Sequence, residues 1–157
     1  MEKYFKRRVL KKIELKSSHS GVVSKLTEEK LYFICLVGTL MASIAHVDNH
    51  LDPEEKKALK TCLAVQFELK GKELALLFEV VEEQGRKDFD FHEVITEINR
   101  LTSYNERLQF MECLFAVAIA DGDLAHEETE EIRRITKAMR IPHDTFIQAK
   151  VRARKNM

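Results

Sequence analysis

Apolar residues recur along this chain at steps of three and four, and no convincing two-residue alternation of a strand appears. Phe5, Val9 and Ile13 form one stripe over residues 3–16, which predicts a short helix. Leu31, Ile34, Leu36, Val37, Leu40, Met41 and Ile44 are dense enough for a helix buried on most sides, running to about Val47. Ala58, Leu59, Cys62, Leu63 and Val65 or Gln66 continue a third face. Leu74, Leu77, Phe78 and Val81 mark a fourth helix, and Phe91, Val94, Ile95, Ile98 and Leu101 a fifth. Leu108, Met111, Leu114, Phe115 and Val117 mark a sixth, through Ala120. Ile132, Ile135 and Met139, then Phe146, Ile147 and Val151, predict two more. Seven to eight short helices with brief connections make a compact all-α bundle.

Boundary signals agree with this reading. Thr27 precedes Glu28 and Glu29, a helix start. In Asp52-Pro53-Glu54-Glu55 the Asp is placed to cap, the Pro suits the first helical position, and Glu55 is expected to complete a capping-box-like arrangement. Asp88 or Asp90 starts the fifth helix, and Ser103-Tyr104-Asn105-Glu106 is a capping box for the sixth. Pro142 opens the last. Ser17 to Gly21 reads as a loop, Gly71 as the stop of the third helix, and Gly85 as the stop of the fourth.

One segment occurs twice. Ala45-His46-Val47-Asp48-Asn49-His50-Leu51-Asp52-Pro53-Glu54-Glu55 is answered by Ala118-Ile119-Ala120-Asp121-Gly122-Asp123-Leu124-Ala125-His126-Glu127-Glu128, at a constant offset of 73 positions. Each copy joins two apolar helices, so the chain holds two pseudo-symmetric helix–acidic turn–helix repeats. A turn at Gly122 brings Asp121 near Glu128, and a twofold arrangement would bring Asp48 and Glu55 in from the other side. Four such carboxylates repel unless a cation, basic groups or helix N-termini neutralise them.

Asp48, Glu55, Asp121 and Glu128 are therefore the leading candidates for metal ligands, with Asp52, His50 and Asp123 as second choices. Oxygen donors suit Ca²⁺ or Mg²⁺. Nitrogen from His46, His50 or His126 would turn the preference toward Zn²⁺, Ni²⁺ or Mn²⁺. The competing reading is structural. Asp52, Glu54, Glu55, Glu127 and Glu128 fall in first turns, where carboxylates favour the helix dipole, and Asp48 and Asp121 can accept turn amides. An EF-hand is excluded, because Ile132 stands twelfth from Asp121 where that loop needs Glu.

Length and composition fit one domain. The chain has 157 residues, 45% hydrophobic, with five Gly and two Pro. Residues 1–24 are expected to form a basic N-terminal helix and loop, and 25–157 a repeat-containing core. Charge is uneven: +5 over residues 1–16, −10 over 17–136 and +5 over 137–157. The basic first helix suits an anionic membrane surface, an acidic partner, or packing onto the acidic body. Glu82-Glu83 and Glu130-Glu131 read as a solvated acidic face. Cys35, Cys62 and Cys113 form no CxxC and read as small buried core residues. No apolar run long enough for a membrane span occurs, and no signal core follows the basic N-terminus. A cytoplasmic location is expected, peripheral contact with an inner membrane being the variant.

The turn Asp121-Gly122 with Leu124 and Glu128, repeated in part by Asp48, Leu51 and Glu55, resembles the signature of TerB-like domains of the tellurite-resistance family. The fold also resembles the N-terminal part of membrane-anchored DnaJ-like co-chaperones. The likeness spans most of residues 25–150. Asn49 and His50 depart from it where the pattern has the Asp-Gly turn. The resemblance implies an acidic face that binds divalent cations, a role in bacterial response to tellurite and related anions, and protein partners near the membrane. It implies no reaction. From the residues, neither G-x-S-x-G, a phosphate-cradling Gly loop nor H-E-x-x-H is present. A non-catalytic metal-binding interaction domain is thus the expected function. A metal-free structural adaptor is the alternative, and a metal-dependent hydrolase a third. No small-molecule substrate and no specific nucleic acid are indicated, and a homodimer stays open.

Overall fold

The computed structural model describes residues 4–20, 26–46, 52–86 and 89–157. Among these, eight α-helices and no strand are found: α1 (Tyr4–Ser20), α2 (Glu28–Ala45), α3 (Pro53–Phe67), α4 (Gly71–Arg86), α5 (Phe91–Leu101), α6 (Tyr104–Ala118), α7 (His126–Ala138) and α8 (His143–Lys155). α2 is the central element and packs against α1, α3, α4, α5, α6 and α7. Its pattern explains why: thirteen of its residues are buried, so it offers apolar side chains all round.

The two repeats occupy α2–α3 and α6–α7. α2 ends at Ala45 and α6 at Ala118, while α3 begins at Pro53 and α7 at His126. Both boundary pairs keep the 73-residue offset of the sequence repeat. α2 packs on α6, and each second helix packs on the other copy's first, α3 on α6 and α7 on α2. Leu59 and its counterpart Ile132 are both buried at the centre.

Several caps form as expected. Thr27 accepts the amide of Lys30, Asp90 that of Glu93, and Ser103 with Glu106 makes a reciprocal capping box. Asp88 lies outside the described residues, as does Gly21. The segment Ser17–Ser20 is helical rather than a loop, α1 continuing through it. α6 stops at Ala118, two residues short of Ala120, which lies in the turn.

The glycine expectations need correction. α3 ends before Gly71, with Glu68 in the left-handed conformation as its C-cap, and Gly71 opens α4. Gly85 does not stop α4 either, because the helix runs to Arg86. Its role is close approach: a Cβ there would stand 2.4 Å from the Ala42 Cβ on α2. Three residues assigned to apolar faces, Val65, Leu101 and Val151, are exposed.

α1 buries Phe5, Val9 and Ile13 in the common core, so its apolar stripe already faces protein. Its lysines reach the acidic body: Lys6 pairs with Glu29 at 3.0 Å, Lys12 with Glu83 at 3.2 Å and Lys16 with Glu79 at 2.8 Å. Of the three readings of the basic N-terminus, this is packing onto the acidic body. Glu82 departs from the expected solvated face. It is buried, with Lys56 Nζ at 3.3 Å. Among the described residues no helix is long and apolar enough to cross a membrane.

Candidate functional site

The second acidic turn is built by its own side chains. α6 closes with the Ile119 amide on the Phe115 carbonyl, and the Gly122 amide donates to Ile119 at 2.9 Å. Gly122 has φ +88°, a conformation that favours glycine because it lacks a Cβ. Asp121 Oδ1 accepts the Asp123 amide at 3.0 Å, and Asp123 Oδ1 accepts the Leu124 amide at 2.9 Å. Leu124 is buried and anchors the turn in the core. α7 then starts with Ala125 as N-cap, which has no side chain able to cap. Glu128 supplies the bond from the other direction, its Oε1 accepting the Ala125 amide at 3.2 Å.

The first copy is assembled differently. Asp48, Asn49, His50 and Leu51 lie outside the described residues, and with them the proposed His46/His50 pair. Asp52 Oδ1 accepts the Glu54 amide at 2.8 Å, and Pro53 occupies the first turn. The capping-box role expected of Glu55 is not seen, because Glu55 accepts no amide among the described residues. Asp52 does the capping, and the Glu55 side chain turns inward, only 4% exposed.

There Glu55 meets Glu128. The two carboxyls come from equivalent positions of the two copies and lie within hydrogen-bonding contact. Glu128 is 3% exposed. Burial pushes the Glu55 carboxyl up to about 9, with Glu128, Asp121 and Asp52 adding negative charge in that order. Asp121 itself is exposed, as are Asp123 and His126. The structure thus brings Glu55 and Glu128 together, sets Asp121 and Asp52 near enough to act on Glu55 through their charge, and leaves Asp123 in the turn.

Capping accounts for Asp52, Asp121, Asp123 and Glu128, each of which accepts a backbone amide. It does not account for Glu55. Two buried carboxyls in contact do not both ionise without a positive partner between or beside them. A proton meets that demand when no cation is present, which is why Glu55 holds one so far above the ordinary carboxyl range. A divalent cation meets it equally well, and the donors, all carboxylate oxygens, suit a hard ion. Among the described residues, no group of three or more His, Cys, Asp or Glu side chains is arranged to hold a metal ion.

Sequence reasoning also missed an interaction. Cys62 on α3 and Cys113 on α6, read as small buried core residues, are only half-buried, and each acts on the other's thiol. The sequence signal was slight: Cys62 follows Glu55 by seven residues, two helical turns, and so shares its face.

A family model described as tellurite resistance protein TerB matches residues 36–151. That range contains both acidic turns and α3 to α7 whole, and the chain belongs to this family. No curated protein sequence and no solved structure matches it significantly.

Proposed function

We propose that this chain is a non-catalytic, cation-binding interaction domain of a bacterial tellurite-resistance or related stress-response system. The observation that carries this reading is the buried contact of Glu55 with Glu128, one carboxyl from each repeat. Family membership supports the cellular setting. Asp121 adds charge beside the pair, and Asp48, its counterpart in the repeat, is the fourth ligand of the proposal. A hard ion, Ca²⁺, Mg²⁺ or Mn²⁺, fits these donors better than Zn²⁺, which would need nitrogen from His50. The ion would tie α3 to α7 and fix the surface presented to protein partners.

The adaptor reading differs in one respect. In it the two glutamates share a proton, and the other acids only cap. Thermal unfolding of metal-stripped protein with Ca²⁺, Mg²⁺, Mn²⁺ or Zn²⁺ separates the two. A ligand at a hundred times its Kd stabilises the native state by about 2.7 kcal/mol. The melting-point rise should vanish in Glu55→Gln and in the Asp48→Asn/Asp121→Asn double variant. No rise with any of the four ions would leave the metal-free adaptor.

A further inference from the structure

We propose that the cleft between α7 and α8 binds a small organic phosphate. Arg133, Lys137 and His143 would hold its phosphoryl group, and Ile141 and Phe146 its apolar body. These five residues and Thr136 line a cavity of about 340 Å³. The cleft lies where the basic C-terminal stretch begins, residues 137–157 carrying a net charge of +5.

The backbone sets the walls. α7 ends in a turn where Arg140 takes the left-handed conformation, φ +62°, and the Ile141 amide donates to the Thr136 carbonyl at 3.0 Å. Ile141 is buried there, and α8 follows from His143. Phe146, also buried, stands between the two helices' polar groups. The Arg133 guanidinium carbon lies 5.3 Å from the centre of its ring, and the His143 ring centre 5.8 Å from it. Two of the three headgroup partners are thus held against one ring before any ligand arrives, which lowers the ordering cost of binding.

Charge points to an anion. Arg133 and Lys137 stand one turn apart on α7, and like charges at that spacing repel. Glu130 answers only part of this, accepting from Arg133 Nη1 at 2.7 Å. Arg133 Nε has no acceptor, and Lys137 has no acidic partner among the described residues. Asp144, the next acid along the chain, is exposed and does not line the cavity. A phosphate monoester meets three donors with three terminal oxygens and carries close to two negative charges at neutral pH. A carboxylate has two oxygens and one charge. The space is larger than a free phosphate ion needs, and Ile141 and Phe146 give an attached apolar group a wall to cover. The site shares no residue with the Glu55–Glu128 pair, so the proposal stands whether or not that pair takes an ion.

The test titrates the full chain, stripped of metal, with phenyl phosphate at constant ionic strength and follows the backbone amides by NMR. The expected result is a saturable set of shifts centred on residues 133–146. Inorganic phosphate should bind more weakly at the same residues, and phenol should give no saturable shift. Lys137→Gln lies at an exposed position and relieves the repulsion on α7, so its melting point should not fall. It should nonetheless weaken phenyl phosphate binding about tenfold, the loss of one hydrogen bond to a charged group. Arg133→Gln should weaken it at least as much. Shifts that never saturate, or that spread evenly over the basic residues of α1 and α8, would overturn the proposal. So would an affinity that Lys137→Gln leaves unchanged, or equal affinity for phenyl phosphate and inorganic phosphate. If Arg133→Gln disturbs the packing on Phe146, the wild type and Lys137→Gln still decide the matter.

Discussion

The two copies of the helix–acidic turn–helix share their boundaries but divide the work of capping differently. In the first, Asp52 caps α3 from the N-cap position, and among the described residues the side chain of the glutamate three residues on accepts no backbone amide. In the second, the equivalent N-cap is Ala125, and Glu128 reaches back to its amide. Glu128 is therefore held by a backbone donor, whereas among the described residues Glu55 has none, and burial beside Glu128 pushes its carboxyl up to about 9. Duplication supplied two like residues, and a single difference at the N-cap gave them unlike chemistry.

The comparison can be strained first in the core, where the copies are alike. Leu59→Ala and Ile132→Ala should each cost about 2–5 kcal/mol in denaturant unfolding, since both side chains are buried at the bundle centre. A cost at Leu59 near zero would show that the first copy is loosely packed and the equivalence only formal.

A smaller effect sharpens the difference. Glu55 ionises near 4.5 when unfolded but holds its proton up to about 9 when folded. Between those values the native state binds more protons, so metal-stripped protein should lose stability as pH rises through the window. The slope should reach at most about 1.4 kcal/mol per pH unit. Glu55→Gln should flatten the profile measured by urea unfolding at a series of pH values, and an unchanged slope would remove Glu55 as its source. A bound divalent cation should flatten it too, by taking the place of the proton.

The smallest effect comes from exchanging the caps. Asp52→Ala should destabilise by about 1 kcal/mol. Ala125→Asp should give α7 the cap that α3 has, stabilise by a similar amount, and release Glu128 from its amide. Hydrogen exchange at the Ala125 and Glu54 amides would follow both changes. If exchange at neither amide responds, the division of capping between the copies carries no energy.

The helices were legible because burial imposes a period on the sequence. The stripes of α1 and α2, the Ser103–Glu106 box and the start of α3 at Pro53 all stand where periodicity and capping chemistry put them. The glycines misled because one residue type serves two ends. Gly85 reads locally as a helix stop, yet it sits inside α4 because Ala42 of α2 leaves no room for a side chain. Nothing near residue 85 in the sequence announces that neighbour.

The 73-residue repeat made Glu55 and Glu128 equivalent positions among four candidate carboxylates, and their contact follows from the way each copy's second helix packs on the other copy's first. The sequence by itself determined the helical class and the duplication, because periodicity, caps and repeats are local or internal patterns. The tertiary structure alone decided which acids are caps and which one is buried beside a like charge. It also decided that α1 lies on the acidic body, and that two cysteines 51 residues apart act on each other's thiol. Those outcomes depend on distances between helices, and a one-dimensional pattern carries no distance between elements that are not neighbours along the chain.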